Sequence, residues 1–288
     1  MQNKLAVEIP DDLASDIAKL GKARSTAGDF QQTSLTLPLH QTLVRVVKHT
    51  TIQRSLPSAR SLLDLPDCFY RSLERLVKDP DWGVHDWLPH DEEILAQHIR
   101  TSGIVRSCFE TMDLEQALPA ERVVMYDTGG QRCERRKWQH VFEAVDAVFF
   151  FASLAEYDRT LYEDPTQNRL EESVSLFQEL LANDKLAKAK FTLVLTKRDE
   201  FYEKLVNQRI PLNASGRFPD APEGFDYEAS LNWIKSRFES SAKPVVAINV
   251  ISCLSQVEVC EVFESARELC SSSSGGANTT STTTTGNL

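Results

Sequence analysis

The sequence lacks the marks of several protein classes. No apolar run approaches the roughly twenty residues that span a bilayer; the longest, AVFFFASLA, covers only 147–155. No charged-then-apolar leader opens the chain, and Gln2 stands where an N-myristoyl signal needs glycine, so neither secretion nor that anchor is expected. Basic residues are outnumbered, 32 Lys and Arg against 42 Asp and Glu, for a net charge of −10. A nucleic-acid surface, which needs a basic face, is not expected. The six cysteines, Cys68, Cys108, Cys133, Cys253, Cys260 and Cys270, form no CxxC pair and no regular spacing. Reduced thiols fit that pattern better than disulfides or a zinc site. There is no internal repeat.

What remains is ordinary globular material. Hydrophobic residues make up 41% and charged residues 26% of the 288, enough for one large core or one core plus a satellite domain. Residues 1–100 offer no strand pattern. Amphipathic stretches such as DDLASDIAKL, TLVRVVKHTTIQ and CFYRSLERLV, broken by Pro57, Pro66 and Pro80, read as a small all-helical region. From about residue 104 short apolar runs (RVVMYD, DAVFFFAS, KFTLVLT, KPVVAINVIS) alternate with helical stretches. Strands that are continuously apolar are buried on both faces, as in a parallel sheet covered by helices. NRLEESVSLFQELL puts Leu170, Val174, Phe177 and Leu181 on one face, and YEASLNWIKSRF puts Ala229, Trp233 and Phe238 on another. Both stripes read as core packing. From Ser271 the Ser/Thr/Gly tail SSSSGGANTTSTTTTGNL is expected to be disordered.

An open α/β sheet binds ligands at the carboxyl ends of its strands, and three segments sit there. Asp127 ends the first apolar strand and is followed by Thr128, Gly129, Gly130 and Gln131. A carboxylate at that point can hold Mg²⁺ through water, a glycine N–H can approach a terminal phosphate, and Gln131 can face an attacking water. DTGG alone can equally be a tight turn. Thr196, Lys197, Arg198 and Asp199 end FTLVL. An aspartate there can accept two N–H bonds from a guanine edge while the lysine stem packs along the ring; a solvated turn has the same composition. Ser252-Cys253-Leu254-Ser255 ends VVAINVI and offers backbone N–H groups to a base oxygen.

Order and spacing join these segments. DTGGQRCERRKW, then a strand, a helix and TKRD, then a helix and SCLS, resembles the guanine-nucleotide domain of heterotrimeric G-protein α subunits. DTGGQRCERRKWQHVFE is similar to the second switch of that family, LPHDEEILAQHIRTSGIV to the first, FPDAPEGFDYEASLNWIKSRF to the segment after the guanine motif, and IQRSLPSARSLLDLPDCFYRSLERL to the end of its inserted helical domain. The resemblance covers most of residues 1–270. It implies that the Thr101 hydroxyl binds Mg²⁺ and that Leu95, Ala96, Gln97, His98, Ile99, Arg100 and Thr101 lie along the nucleotide. It further implies that Asp127, Thr128, Gly129, Gly130 and Gln131 sit at the γ-phosphate, with Gln131 orienting water. Lys197 and Asp199, within Thr196–Asp199, would read guanine, and Leu254 would touch the base. Asp64 and Leu65 would face the nucleotide from the helical domain. Arg136, Lys137 and Trp138 would dock a βγ dimer.

The sequence departs from the family in three places. It contains no G-x-x-x-x-G-K-[ST] phosphate loop; LGKARS at 20–25 falls in a helical stretch and has the wrong spacing. On this reading the chain starts inside the helical insert, and the first strand, the phosphate loop and an anchoring helix are missing. The sheet would then have an unpaired flank unless the N-terminal helices cover it. His98 stands where the family has an arginine; for G-protein α subunits themselves that arginine is credited with roughly 10³–10⁵ in rate, and a near-neutral imidazole recovers only part of such an effect. An exposed helical histidine is the other reading of His98. The receptor-reading C-terminus is replaced by the Ser/Thr tail, which weakens any receptor contact.

The expected fold is therefore α/β: a Ras-like, P-loop-NTPase-type parallel sheet with flanking helices, its first strand and P-loop missing, plus a partial all-helical insert. The expected division is 1–94 helical, 95–270 guanine-nucleotide-binding and 271–288 disordered tail. The expected function is a GTP/GDP- and Mg²⁺-binding signalling subunit with impaired hydrolysis, cytoplasmic and peripheral at the plasma membrane through its partners. A non-catalytic module that binds a βγ-type partner, and a remnant without function, stay open beside it.

Overall fold

The computed structural model describes residues 9–26, 36–62, 67–79, 88, 90–95, 101–111, 121–161, 164–214, 216–239, 245–271 and 280–285. The chain divides into two units, Met1–Ile99 and Arg100–Leu288, against an expected boundary at residue 95.

The described residues of the first unit are helical: α1 (Asp11–Thr26), α2 (Leu37–Lys48), α3 (Thr50–Leu62), α4 (Asp67–Lys78) and α5 (Asp91–Leu95). Pro38 stands in the first turn of α2, where its missing N–H leaves no helical bond unmade. Leu13, Val47 and Leu76 are buried. Arg45 of α2 reaches Asp16 of α1 at 3.1 Å, and Arg75 of α4 pairs with Glu93 of α5 at 3.3 Å.

The second unit is built on β1 (Ile104–Thr111), β2 (Glu121–Thr128), β3 (Ala147–Ser153), α6 (Arg169–Leu181), β4 (Lys190–Thr196), α7 (Arg198–Tyr202), α8 (Tyr227–Phe238), β5 (Ala247–Val250), α9 (Gln256–Ser271) and β6 (Thr280–Thr285). The strand order is β1-β2-β6-β3-β4-β5. All neighbours are parallel except β1, which runs antiparallel to β2 with Ile104 opposite Thr128. β3 shows why its run of apolar residues forms a central strand. Successive side chains alternate faces: Val148, Phe150 and Ala152 join α6 and α8 in the larger core, while Ala147 and Phe149 join Val194, Ile251 and Val262 of α9 in a smaller one. Phe177 of α6 is fully buried and meets Phe150, Phe191 and Phe238 at centroid distances of 5.0, 6.1 and 5.7 Å. Replacing such a residue by alanine costs about 3–5 kcal/mol. Asn168 starts α6 by accepting from the N–H groups of Leu170 and Glu171.

Three expectations change. β1 is a strand that the sequence pattern did not announce; it lies at the sheet edge, with Val105, Arg106, Ser107 and Cys108 exposed, so no apolar run marks it. On α8 the buried face is Ser230, Leu231, Ile234 and Phe238; Ala229 is exposed and Trp233 only half-buried. The third change concerns the tail. Thr280–Thr285 is not disordered but lies between β2 and β3, pairing with Val123–Thr128 on one side and Ala147–Phe150 on the other. The flank expected to be unpaired is filled. Threonine is β-branched and suits a strand once two neighbouring ladders supply its hydrogen bonds, a long-range condition that low-complexity composition cannot reveal.

Candidate functional site

Parallel strands bring β2, β4 and β5 to one edge of the sheet with their carboxyl ends together. The antiparallel β1 delivers Thr101–Gly103 to that same edge.

The end of β2 is closed by five hydrogen bonds. Thr101 Oγ1 lies 3.4 Å from Asp127 Oδ2, and the Gly129 N–H donates to the Gly103 carbonyl at 3.2 Å. The Gly103 N–H donates to Glu134 Oε2 at 2.6 Å, which also accepts Lys137 Nζ at 2.6 Å. Trp138 Nε1 donates to the Gly129 carbonyl at 2.9 Å. A Cβ at Gly129 would stand 2.5 Å from the Thr101 carbonyl oxygen and 2.9 Å from Glu134 Cγ. Glycine is required here for close approach.

Beyond Gly130 the loop is fastened by arginines. Arg132 gives Glu172 a two-pronged bond at 3.0 and 2.8 Å, and Arg135 reaches the same carboxylate at 2.6 Å. Arg135 also donates to the Gly130 carbonyl at 3.2 Å. The bond from Arg132 holds the Glu172 carboxyl below its ordinary range, against the opposing effect of burial and with further help from Arg135. Gln131 therefore sits on a loop whose two ends are tied, to Thr101–Gly103 and to α6.

At the end of β4, Lys197 adopts the left-handed conformation, φ 57° and ψ 39°, which costs a non-glycine residue about 1–2 kcal/mol. The Arg198 N–H donates to the Ile251 carbonyl at 3.2 Å, and its guanidinium reaches Glu258 at 2.7 Å. The other oxygen of Glu258 accepts the Ser252 N–H at 2.8 Å, while Ser252 Oγ caps the Leu254 N–H at 3.4 Å. The turns after β4 and β5 are thereby one assembly. The Cys253 thiol is pushed up, first by desolvation and next by the negative charge of Asp199.

Thr101, Asp127–Gln131, Thr196–Asp199 and Leu254 thus share one edge. Asp64, Leu65, Ala96, Gln97, His98, Ile99 and Arg100 lie outside the described residues; Leu95 ends α5 in the first unit. Trp138 requires a correction. It is 2% exposed and packs in the larger core, because its indole N–H finds a backbone acceptor beneath the loop. Of the three residues expected on a docking surface, only Arg136 and Lys137 are exposed. Sequence reasoning passed over Glu134, Glu172 and Glu258. Each lies in a charged stretch of no special composition and acquires its role from partners distant in the chain.

The oxygens at the end of β2 suit a cation that arrives with phosphate. Mg²⁺ in phosphate sites takes one or two protein oxygens and keeps water for the rest. Thr101 Oγ1 and Asp127 Oδ2 are such a pair. Burial raises the pKa of the Asp127 carboxyl, opposed by hydrogen bonds from Thr101 and the Thr128 backbone, and a cation beside it would favour the charged form. Among the described residues no group of three or more His, Cys, Asp or Glu could hold a metal alone.

A family model described as "G-protein alpha subunit" matches residues 2–270. The chain is 35% identical over 234 residues to the guanine nucleotide-binding protein alpha-1 subunit of Solanum lycopersicum, covering 80% of this chain and 59% of that protein. It is 38% identical over 192 residues to the alpha-1 subunit of Oryza sativa subsp. indica, covering 64% and 49% respectively. Against the guanine nucleotide-binding protein alpha-9 subunit of Dictyostelium discoideum the identity is 30% over 259 residues, or 89% of this chain and 71% of the relative. The chain thus spans about half to seven-tenths of the relatives' length. Matched over nearly all of its globular sequence, the chain belongs to the G-protein α-subunit family.

Proposed function

We propose that the carboxyl edge of the sheet is a guanine-nucleotide site and that the chain acts as a G-protein α-type signalling switch. Members of this family bind GTP or GDP with Mg²⁺. The observation that carries the reading is the contact of the Thr101 hydroxyl with Asp127, with Gly129 packed against the Thr101 carbonyl. It couples the segment before β1 to the loop after β2, which is what a phosphate-responsive switch requires.

On this reading Thr101 and Asp127 hold Mg²⁺, directly and through water, and the ion would neutralise phosphate charge when bound. The Gly129 and Gly130 backbone approaches the terminal phosphate. Gln131 aligns the attacking water, and His98 occupies the position of the family's arginine in GTP hydrolysis. Asp199 accepts from the guanine edge, Lys197 packs along the ring, and Arg198, Thr196 and Leu254 complete the base pocket. A βγ dimer would dock on the exposed Arg136 and Lys137, with Trp138 as a buttress beneath, and would carry the chain to the inner face of the plasma membrane. The sequence contains no phosphate loop.

Titration of the chain with a fluorescent GTP analogue and Mg²⁺ tests the reading. Saturable micromolar binding, lost in Asp199→Ala, is the expected result. A folded sample that binds nothing would overturn it.

A further inference from the structure

Glu156 lies in the short turn Leu154–Glu156 that follows β3, and with Glu134 it is a buried acidic side chain among the described residues of this unit. The turn is fixed from several sides. Lys204 Nζ, 2% exposed, donates to the Ala155 carbonyl and to Asp158 Oδ1, both at 2.7 Å. Asn168 Nδ2 donates to the Tyr157 carbonyl at 2.7 Å, and Arg169 Nε to the Thr160 carbonyl at 2.9 Å. The Glu156 carboxylate is therefore presented on backbone with little freedom to swing.

One oxygen of that carboxylate, Oε1, meets two cations: Lys197 Nζ at 3.4 Å and Arg169 NH1 at 3.5 Å. The Glu156 and Arg169 side chains are 8% and 10% exposed, whereas Lys197 is 38% exposed. Arg169 fills the buried side of the carboxylate, leaving Lys197 the outward one. Lys197 is thus held at both ends. Its left-handed backbone is set at the start of α7, where its carbonyl accepts the Phe201 N–H at 2.9 Å, and its ammonium is tethered across to the turn after β3. A lysine stem free in solvent would lose rotamer entropy on packing against a ligand; one already tethered loses less.

We propose that Glu156 is a positioning residue for Lys197, holding the lysine stem in the orientation in which it lies along a guanine ring. The proposal rests on the guanine-nucleotide reading above.

Two readouts test it in the full chain. Amine-reactive labelling of Lys197, followed by peptide mass spectrometry, needs no nucleotide. Glu156→Gln should raise that labelling rate roughly twofold to fivefold, the range that a partly exposed ion pair supports. The same substitution should weaken binding of the fluorescent GTP analogue by a similar factor, and the loss should vanish in a Lys197→Met background, since coupled residues are non-additive. If Glu156→Gln alone fails to fold because Arg169 keeps an unbalanced charge, Glu156→Gln combined with Arg169→Gln restores the balance and carries the same test. An unchanged labelling rate in a folded variant overturns the positioning role. Equal loss of affinity in the native and Lys197→Met backgrounds overturns it as well. Faster labelling of Glu156→Gln, together with a native chain that binds no nucleotide, counts against the guanine reading alone and leaves the tether between Glu156 and Lys197 standing.

Discussion

Gly129 rests against the backbone of Thr101 so closely that a single added carbon would stand 2.5 Å from the Thr101 carbonyl oxygen. Two segments separated by the whole of β1 and β2 meet at that point, and the contact leaves room for no side chain. Its partner atoms are backbone on one side and the Glu134 stem on the other, so a larger residue cannot be accommodated by rotating a flexible tip.

Gly129→Ala is therefore expected to separate the two segments. The cost is that of overpacking, about 1–3 kcal/mol, and the Gly129 N–H bond to Gly103 should open with it. A thermal melt should show the lowered stability, and amide exchange at Gly129 should be faster. An alanine variant as stable as the native chain would contradict the packing.

Glu172 accepts from both Arg132 and Arg135, and its carboxyl titrates below its ordinary range. A depressed folded value means that the stabilisation is complete above the unfolded carboxylate pKa, near 4.3, and is lost as pH falls through the lower folded value. Glu172→Gln should be less stable than the native chain by about 1–3 kcal/mol at neutral pH. That difference should persist down to about pH 5 and shrink below pH 4. Chemical denaturation at a series of pH values measures it.

Thr283 stands in the middle of β6, opposite Tyr126 on one side and Val148 on the other. Proline there removes a ladder hydrogen bond and does not fit a central strand. Thr283→Pro should lower stability by about 3 kcal/mol or more and expose strand edges that promote aggregation. Melting and light scattering read both effects. A proline variant with an unchanged melt would place the tail outside the sheet.

Lys204 is buried with its ammonium on Asp158 and the Ala155 carbonyl. Removing one partner of a buried pair leaves the other charge uncompensated, at about 3–5 kcal/mol. Lys204→Ala should show a loss of that size by denaturant titration, whereas Lys185→Ala, whose exposed pair with Glu143 lies at the surface, should cost under about 1 kcal/mol.

What was legible in the sequence was what local pattern encodes. β2, β3 and β4 are continuous apolar runs because both of their faces are covered, and the turns that follow them carry the residue types that the site needs. β1 stayed hidden because an exposed edge strand has no such run. β6 stayed hidden because six Ser and Thr residues become a strand only when β2 and β3 flank them. Trp138 read as a surface residue because its neighbours are arginines and lysine; the hydrogen bond to Gly129 that draws it inward is set by the fold of the loop. Glu156 and Lys204 carry no motif at all, and their meaning lies in partners 41 to 49 residues away.

The central claim is that the turn after β4 reads guanine, and base exchange tests it most directly. Asp199 would accept from the ring N–H and the exocyclic amino group of guanine; an asparagine amide would instead accept from the ring N–H and donate to the carbonyl that xanthine carries in place of the amino group. The measurement is equilibrium binding of GTP and xanthosine triphosphate, with Mg²⁺, to the native chain and to Asp199→Asn. The native chain should prefer GTP, and the asparagine variant should reverse the preference. Indifference of both proteins to the base, or an unchanged preference in the variant, would contradict the assignment.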